Sequence, residues 1–294
     1  MKATIIITAF NEPNIGKVIE AAQQQKTDYE YDILVSAPDD ATLGVAIQHG
    51  LKDPRISIFQ DEGKGKSKAL NEIFKIVKND ILIFTDGDVK INRYTVQNIM
   101  DTFKDGEVGC VAGRPVPLDN RKDKYGYWAH FLFDAAHELR TKLNERKQFI
   151  ECSGYLIAFR NGVIKEIPLD VADDSIIPYL FAESGYRIAY CPQAQVFVKN
   201  PTNFKDWMKQ KVRTAKAHTN LGEYVNIEKI RKVKSFGTEA KGIKKMFTYP
   251  KTPKEFWWTH QLVLARLWMW IMVIYENTFK GGYSDNWERI ESAR

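Results

Sequence analysis

Short apolar runs alternate with amphipathic segments through the first part of the chain. Each run is six residues long and bounded by polar residues or turn formers, which is typical of strands buried in a sheet. The predicted strands are residues 3–8, 31–36, 55–60 and 80–85. The predicted helices between them are residues 14–25, 39–50 and 66–78, with Asp39 or Asp40 as the cap of the second. This alternation predicts an α/β fold with a mainly parallel sheet flanked by helices.

Beyond residue 106 the order of elements is mixed. "EVGCVAG" and "YLIAFR" have the composition of further strands, and Lys124 to Lys147 has apolar residues at helical spacing. "DSIIPYLFAESG" is a predicted helix that begins at an aspartate cap, with Pro178 in its first turn. A last amphipathic helix is expected from Phe204 to about Leu221.

Composition and length narrow the class of protein. A chain of 294 residues with 44% hydrophobic residues can bury a large core. The opening "MKATIIITAF" turns polar too early for a signal peptide, which favours a cytosolic start. The three cysteines are widely spaced and form no CxxC pair, so neither a disulfide framework nor a zinc site is expected.

The net charge of +6 is concentrated in one segment. Residues 228–254 contain nine basic and two acidic residues, a surplus of +7, so the remainder is close to neutral. Such a surplus indicates a face that meets an anionic partner, either phospholipid or nucleic acid, although a solvated lysine-rich loop has the same composition. Because no RNA-recognition signature accompanies it, no nucleic-acid partner is expected.

The segment from Phe256 to Phe279 holds four of the seven tryptophans. Its apolar centre, Leu262 to Tyr275, is only 14 residues long and contains Arg266, whereas about 20 apolar residues are needed to span a bilayer. A helix buried in the protein core is one interpretation that this composition allows. The tryptophans, a snorkelling Arg266 and the preceding basic segment favour an amphipathic helix at a membrane interface.

Two aspartates end the fourth predicted strand in "DILIFTDGD". Asp86 and Asp88 are two residues apart, so in extended chain both carboxylates face one site, and Gly87 would let a phosphate approach the backbone. Paired carboxylates suit Mg²⁺ or Mn²⁺. A simple turn after a strand is the alternative, and for a bare DxD it is the stronger one.

A glycine- and lysine-rich loop, "DEGKGKSKALN", precedes the third predicted helix. Gly63 and Gly65 with Lys64 and Lys66 could hold an anion at the start of that helix. The loop lacks the GxxxxGK[ST] pattern of P-loop NTPases, so it does not indicate an ATPase.

In this order the motifs resemble glycosyltransferase family 2, the inverting nucleotide-sugar enzymes with the Rossmann-like GT-A fold, over about residues 3–218. The resemblance implies Ala9, Asn11 and Glu12 near the base and ribose, Lys66 near the nucleotide, and Asp86 and Asp88 on the metal, Asp88 the more direct ligand. "CSGYLIAFR", with Ser153 and Gly154, is similar to the block that lines the sugar pocket. "ADDSIIPY" is similar to the acceptor-side block, which puts the catalytic base at Asp174 and Asp173 in place of glutamate.

Two departures from the family pattern affect the details. The base-reading "DDGS" turn is replaced by "SAPDDAT", where Asp39 could serve at a shifted spacing. The QxxRW motif of processive members keeps Gln210 and Arg213 but has Thr214 in place of tryptophan. We therefore expect transfer of one or a few sugars.

The resulting hypothesis is a metal-dependent, inverting glycosyltransferase that uses a nucleotide diphosphate sugar and Mn²⁺ or Mg²⁺. Its expected acceptor is a glycan or lipid-linked glycan, and its expected location is the cytoplasmic, inner face of a membrane. The predicted division is a catalytic domain at 1–222 and a membrane-associating region at 223–294. A nucleotidyltransferase and a non-catalytic nucleotide-binding membrane adaptor are the alternatives.

Overall fold

An eight-stranded mixed sheet forms the middle layer of the protein. The computed structural model describes residues 1–217, 220–226, 243–279 and 291–293. The strands are β1 (Ala3–Thr8), β2 (Tyr31–Ala37), β3 (Ile56–Gln60), β4 (Ile81–Asp86), β5 (Lys90–Ile91), β6 (Val108–Pro117), β7 (Leu156–Arg160) and β8 (Arg187–Val198). Their order across the sheet is β3-β2-β1-β4-β7-β6-β8-β5.

The first half of the sheet is parallel, as the sequence predicts. β1 lies between β2 and β4, with Thr8 opposite both Ser36 and Asp86, and β3 forms the edge. All six residues of β1 are buried, because helices cover both of its faces. The parallel register brings the carboxyl ends of β1 and β4 together, which places the "TDGD" motif beside the loop that follows β1.

The second half of the sheet is mixed. β7 is antiparallel to both β4 and β6, β8 runs parallel to β6, and the two-residue β5 closes the far edge. The strands predicted in "EVGCVAG" and "YLIAFR" are confirmed. The 12-residue β8 was not predicted, since its second half, "PQAQVFV", alternates polar and apolar residues outside any motif that drew attention.

Helices cover both faces of the sheet. They are α1 (Ile15–Gln23), α2 (Asp40–Gly50), α3 (Lys66–Ile76), α4 (Thr95–Thr102), α5 (Lys124–Glu145), α6 (Asp173–Glu183), α7 (Phe204–Lys216), α8 (Leu221–Tyr224), α9 (Ile243–Thr248) and α10 (Pro253–Phe279), with a 3₁₀ turn at Glu291–Ala293. α1, α2 and α4 contribute to one buried cluster, and α3 and α6 contribute to another that includes Ile6, Leu82 and Phe84.

The beginning of α6 differs from the prediction. Its N-cap is Ala172, so Asp173 and Asp174 lie in the first turn and do not cap the helix. Pro178 lies in the second turn, not the first, and its missing N–H leaves the carbonyl of Asp174 without the usual helical donor. The two carboxylates are therefore available for contacts outside the helix.

The long helix α10 packs along α5 and α7. Its buried residues Leu262 and Ala265 join Trp128 and Trp207 in one aromatic cluster, and the indole N–H of Trp128 donates to the carbonyl of Trp258 at 2.8 Å. Tyr127 and Thr259 share a buried hydroxyl contact of 2.7 Å. Most of the predicted basic segment, residues 227–242, lies outside the described residues, and the division at residue 222 stays a prediction.

Met269 tests whether α10 unfolds together with the sheet. It is fully buried beside Val212 and Val273, so Met269→Ala is expected to lower the free energy of unfolding by about 3 kcal/mol in a single denaturant transition. The matched control Leu264→Ala, at a solvent-facing position of the same helix, should change stability by less than about 0.5 kcal/mol. A separate second transition in the Met269 variant would contradict this.

Candidate active site

A cleft of about 520 Å³ opens at the carboxyl ends of β1 and β4. Its lining includes most of the residues that the sequence singles out. These are Ala9, Glu12, Lys66, Asp86, Asp88, Ser153, Gly154, Asp173, Asp174, Gln210 and Arg213. Asn11 and Asp39 are not among the residues that line it. Eleven positions scattered from 9 to 213 therefore meet in one place, while their individual roles stay predictions.

Lys66 lies between two carboxylates at the floor of the cleft. Its Nζ is 2.8 Å from Oδ1 of Asp86 and 3.2 Å from Oδ2 of Asp173, and its side chain is only 10% exposed. Burial alone would lower the pKa of Lys66, but the charges of Asp173 and Asp86 outweigh it and hold the pKa well above the usual value. Lys66 is therefore a cation that joins the start of α3 to the end of β4 and the start of α6.

The neighbouring lysines turn away from this ion pair. Lys64 and Lys68 both contact Glu62, at 2.8 Å and 2.7 Å, on the surface. The predicted cradle of lysines around an anion is therefore already occupied by protein carboxylates in this structure. Positive φ angles at Gly63 and Gly65, 66° and 104°, bend the loop so that α3 begins at Lys66.

Asp88 faces the open cleft and forms no ion pair with the residues that the structure describes, although the charge of Lys66 acts on it from nearby. Solvent reaches its side chain through the cleft, yet the surrounding protein and then the negative charges of Asp86 and Glu12 raise the pKa of Asp88 to about 6. Three carboxylates thus face one region of the cleft, and they would be stabilised by a cation. Within the described part of the chain, no three acidic, histidine or cysteine side chains form a ready-made metal site.

Gly87 is required by packing against the end of β1. Its N–H donates to the carbonyl of Thr8 at 2.8 Å, and a Cβ at this position would lie 2.6 Å from the Cβ of Ala9. The expectation that this glycine also lets a phosphate approach the backbone stays a prediction. The "TDGD" turn fits against the end of β1 only without a side chain at its centre.

Asp174 is positioned by the loop that precedes β7. The backbone N–H of Gly154 donates to Oδ2 of Asp174 at 2.8 Å, while Asp174 remains half-buried on the wall of the cleft. A Cβ at Gly154 would lie 3.4 Å from that oxygen, so the two segments are in close contact. The helix N-terminus and this N–H both favour a negatively charged carboxylate.

Asp39 is bonded within the loops beside the cleft. Although partial burial opposes it, hydrogen bonds from the N–H groups of Asn11 and Thr42, at 2.7 Å and 2.8 Å, lower the pKa of Asp39. The contact with Thr42 makes Asp39 the cap of α2, as the sequence predicts. Asn11 has a φ of 48°, a conformation that asparagine tolerates better than most residues. Asp39 thus fixes the loop after β1. Its predicted contact with the nucleobase of the donor stays a prediction.

The far wall of the cleft is basic. α7 contributes Gln210, Lys211 and Arg213, and the side-chain oxygen of the buried Gln210 has no hydrogen-bond partner within the described residues. An unpaired buried acceptor of this kind fits a ligand donor. The hydroxyl of Thr214 donates to the carbonyl of Gln210 at 2.9 Å, so the residue that departs from the family motif is tied to the helix backbone.

Several lining residues were not predicted. Arg140 of α5 donates to the carbonyls of Glu151 and Cys152, at 3.1 Å and 3.3 Å, and so fixes the loop that carries Gly154. Tyr155 and Lys199 also line the cleft. Tyr155 directly follows the "CSG" residues of a recognised block, which was a usable signal, whereas Arg140 and Lys199 lie in segments that carry no motif.

Arg266 corrects one expectation outright. It was predicted to snorkel from a membrane-facing helix surface, but the structure places it on the inner side of α10, where it lines the cleft and its guanidinium contacts Met269. The C-terminal helix therefore contributes directly to the lining of the candidate site.

Comparison with known proteins agrees with the resemblance of the motifs. A family model described as glycosyltransferase like family 2 matches residues 2–217, which is most of the chain. The chain belongs to this family. The predicted family membership is thereby confirmed. The cleft lies at the carboxyl ends of the strands, where ligands bind in open α/β sheets, and it is therefore the candidate active site.

Two curated relatives of this family member are sugar transferases. The O-antigen chain rhamnosyltransferase RfbN of Salmonella typhimurium is 24% identical over 209 residues, which cover 67% of this chain and 66% of the relative. An N-acetylglucosaminyltransferase of Azorhizobium caulinodans is 22% identical over 262 residues, which cover 77% of this chain and 65% of the relative. The chain thus spans slightly less than two thirds of the length of each.

Solved structures confirm the fold class. The crystal structure of S. aureus TarS 1-349 has a TM-score of 0.51 at 16% identity, covering 77% of this chain and 66% of that one. The same segment in complex with UDP-GlcNAc has a TM-score of 0.52 at 15% identity, covering 96% and 93%. This likeness supports a GT-A-type α/β fold with a mainly parallel sheet flanked by helices.

Lys66 provides a test of the ion pair at the cleft floor. Lys66→Met leaves Asp86 and Asp173 without their cation, so the free energy of unfolding should fall by about 3 kcal/mol. The control Lys68→Met removes a lysine two positions away whose partner Glu62 is exposed, and should cost less than about 1 kcal/mol. Equal losses in urea denaturation of the two variants would show that the buried contacts of Lys66 are not structural.

Proposed function

We propose that the protein is an inverting glycosyltransferase that moves a sugar from a nucleotide diphosphate sugar to an acceptor hydroxyl. One observation carries the proposal. Asp173 is engaged by Lys66, while the adjacent Asp174 is held by Gly154 with its carboxylate on the cleft wall. The sugar-transferase names of the relatives and the UDP-GlcNAc complex of the structural neighbour support the same class of reaction.

The proposed reaction is a direct displacement at the anomeric carbon. Asp174 accepts the proton of the acceptor hydroxyl as that oxygen forms the new glycosidic bond. The bond between the anomeric carbon and the diphosphate oxygen breaks on the opposite face, so the configuration is inverted. Negative charge develops on the leaving diphosphate, where Arg213 and the basic wall of the cleft would stabilise it.

A divalent cation, Mg²⁺ or Mn²⁺, fits the acidic side of the cleft. Asp86 and Asp88 offer the oxygen ligands that such ions prefer, and the mutual repulsion with Glu12 would be relieved by a cation. When bound, the ion would supply positive charge to the diphosphate. Asp88 is the more available ligand, because Asp86 already accepts a hydrogen bond from Lys66.

The donor and acceptor follow the relatives at the level of class. A nucleotide sugar would place its base near Ala9, Asn11, Glu12 and Asp39, and its sugar near Ser153 and Gly154. The acceptor would be a glycan of the cell envelope, lipid-linked in our proposal, handled at the cytoplasmic face of the inner membrane. The first donor to test is UDP-GlcNAc, because the structural neighbour was solved with it.

Asp174→Asn tests the assigned base. The amide oxygen can still accept from the Gly154 N–H, so the fold should be retained while proton transfer is lost. We expect the transfer rate constant to fall by roughly a hundredfold to ten-thousandfold, with the KM for the donor little changed. The measurement is release of nucleoside diphosphate across a panel of nucleotide sugars.

A control variant and the identity of the released product complete this test. The control Asp170→Asn alters a surface carboxylate that contacts Asn220 and Tyr224, and it should retain activity. Substantial transfer by the Asp174 variant would contradict the base assignment. Release of pyrophosphate in place of a nucleoside diphosphate would point to a nucleotidyltransferase, and binding without turnover would point to an adaptor.

Removal of metal tests the role of Asp86 and Asp88. Chelation by EDTA should abolish nucleoside diphosphate release, and added Mn²⁺ or Mg²⁺ should restore it. Asp88→Asn should raise the metal concentration needed for half-maximal activity by about tenfold, because one charged ligand is lost. Metal-dependent thermal stabilisation by UDP gives an independent reading. Full activity after chelation would contradict the metal assignment.

A further inference from the structure

The outer side of α10 is an apolar stripe that faces solvent. Four of its exposed members, in chain order, are Trp257 (63% exposed), Leu264 (66%), Trp268 (52%) and Ile271 (55%). Their successive spacings of seven, four and three residues place them on one face of the helix. We call this face the outer stripe. Its other exposed members are Phe256, Leu267, Ile274 and Tyr275 on α10, with Phe247 of α9 in contact with Phe256.

The opposite side of α10 is fixed to the protein. Leu262, Ala265, Met269 and Val273 are buried against α5 and α7. The outer stripe therefore belongs to a helix whose orientation is already determined by packing. No helix in the described ranges is long and apolar enough to cross a bilayer. From Trp257 to Tyr275 the stripe extends about 27 Å along the helix, which suits a helix lying in a membrane surface.

The charges on α10 favour an anionic apolar surface over a protein partner. Its two carboxylates, Glu255 and Glu276, both turn inward, to Arg121 at 3.5 Å and Lys216 at 3.2 Å. Lys251 and Lys254 are exposed next to the first turn of the stripe. The sequence around them, residues 228–254, carries a surplus of +7. An apolar stripe beside positive charge, without an outward carboxylate, is complementary to anionic lipid headgroups over an acyl layer.

We propose that the outer stripe of α10 docks the protein on the surface of an anionic lipid bilayer. The side chains of the stripe enter the boundary between headgroups and acyl chains, and the exposed lysines contact lipid phosphates. Because Arg266 extends from the inner side of the same helix to the cleft, docking places the cleft next to the bilayer. The docking itself does not depend on the proposed sugar transfer.

Vesicle sedimentation of the full chain tests the docking. The variant Leu264→Glu/Ile271→Glu changes two side chains of the outer stripe. The matched control Leu51→Glu/Ile76→Glu changes a leucine that is 76% exposed at the end of α2 and an isoleucine that is 49% exposed at the end of α3. Each protein is mixed with phosphatidylcholine vesicles and with phosphatidylcholine/phosphatidylglycerol vesicles, without any nucleotide sugar.

We expect the unaltered protein and the control to sediment with the anionic vesicles, and less with the neutral ones. The stripe variant should lose at least about tenfold in its partition coefficient, about 1.4 kcal/mol. Added salt should weaken binding of the unaltered protein to anionic vesicles, because the lysine contribution is screened. Equal melting temperatures of the two double variants would show that the loss is not caused by unfolding.

A second measurement reads insertion directly. Brominated lipids should quench the tryptophan fluorescence of the unaltered protein, and Trp257→Phe/Trp268→Phe should lose much of that quenching, since Trp128 and Trp207 are buried. The proposal is overturned if the unaltered protein ignores anionic vesicles, or if the stripe variant binds them as the control does. It is also overturned if the stripe holds a lipid-free dimer that the variant dissociates while vesicle binding stays the same. Vesicle binding without sugar transfer would refute only the proposed function.

Discussion

The arrangement of the cleft depends on one buried ammonium group. Lys66 is the first residue of α3, and it contacts the last residue of β4 and the first residue of α6, segments that lie far apart in the sequence. An isolated charge in this position would be expensive to bury, and so would either carboxylate alone. The three groups therefore determine one another's positions. Asp88, two residues after Asp86, and Asp174, directly after Asp173, line the cleft next to them.

This arrangement gives neighbouring aspartates different surroundings. In each of the two pairs, Asp86 with Asp88 and Asp173 with Asp174, the first carboxylate contacts Lys66 and the second lines the cleft without touching that ammonium group. The carboxylates of Asp88 and Asp174 differ in the charges and donors around them. Asp88 sits among other negative charges, which suits a bound cation, while Asp174 is held by a backbone N–H and a helix N-terminus, which suits a base. One lysine thus organises both halves of the proposed chemistry.

The sequence was sufficient for the first half of the sheet and for eleven residues of the cleft lining, because strand periodicity and short motifs are local signals. It could not reveal that Gly87 is needed against Ala9, since that contact joins residues 78 positions apart and exists only after β1 and β4 pair. The same holds for Lys66 with Asp173. β8 was missed because its polar alternation resembles loop composition. An aspartate cap was predicted for α6 because caps are the common use of that pattern, although the family resemblance also made Asp174 the expected base.

The C-terminal helix shows where periodicity fails for a different reason. α10 is apolar on two sides, so its hydrophobic pattern alone cannot say which side packs on the protein. The position of Arg266 shows which side of α10 faces the protein. A charge inside an apolar run was read as a residue that snorkels to water at a membrane surface, but it lies on the inner side, where the cleft supplies the water and the polar surroundings. The uninterrupted apolar side is the outer one, so a helix of this composition lines the candidate active site on one side and presents an apolar surface to solvent on the other.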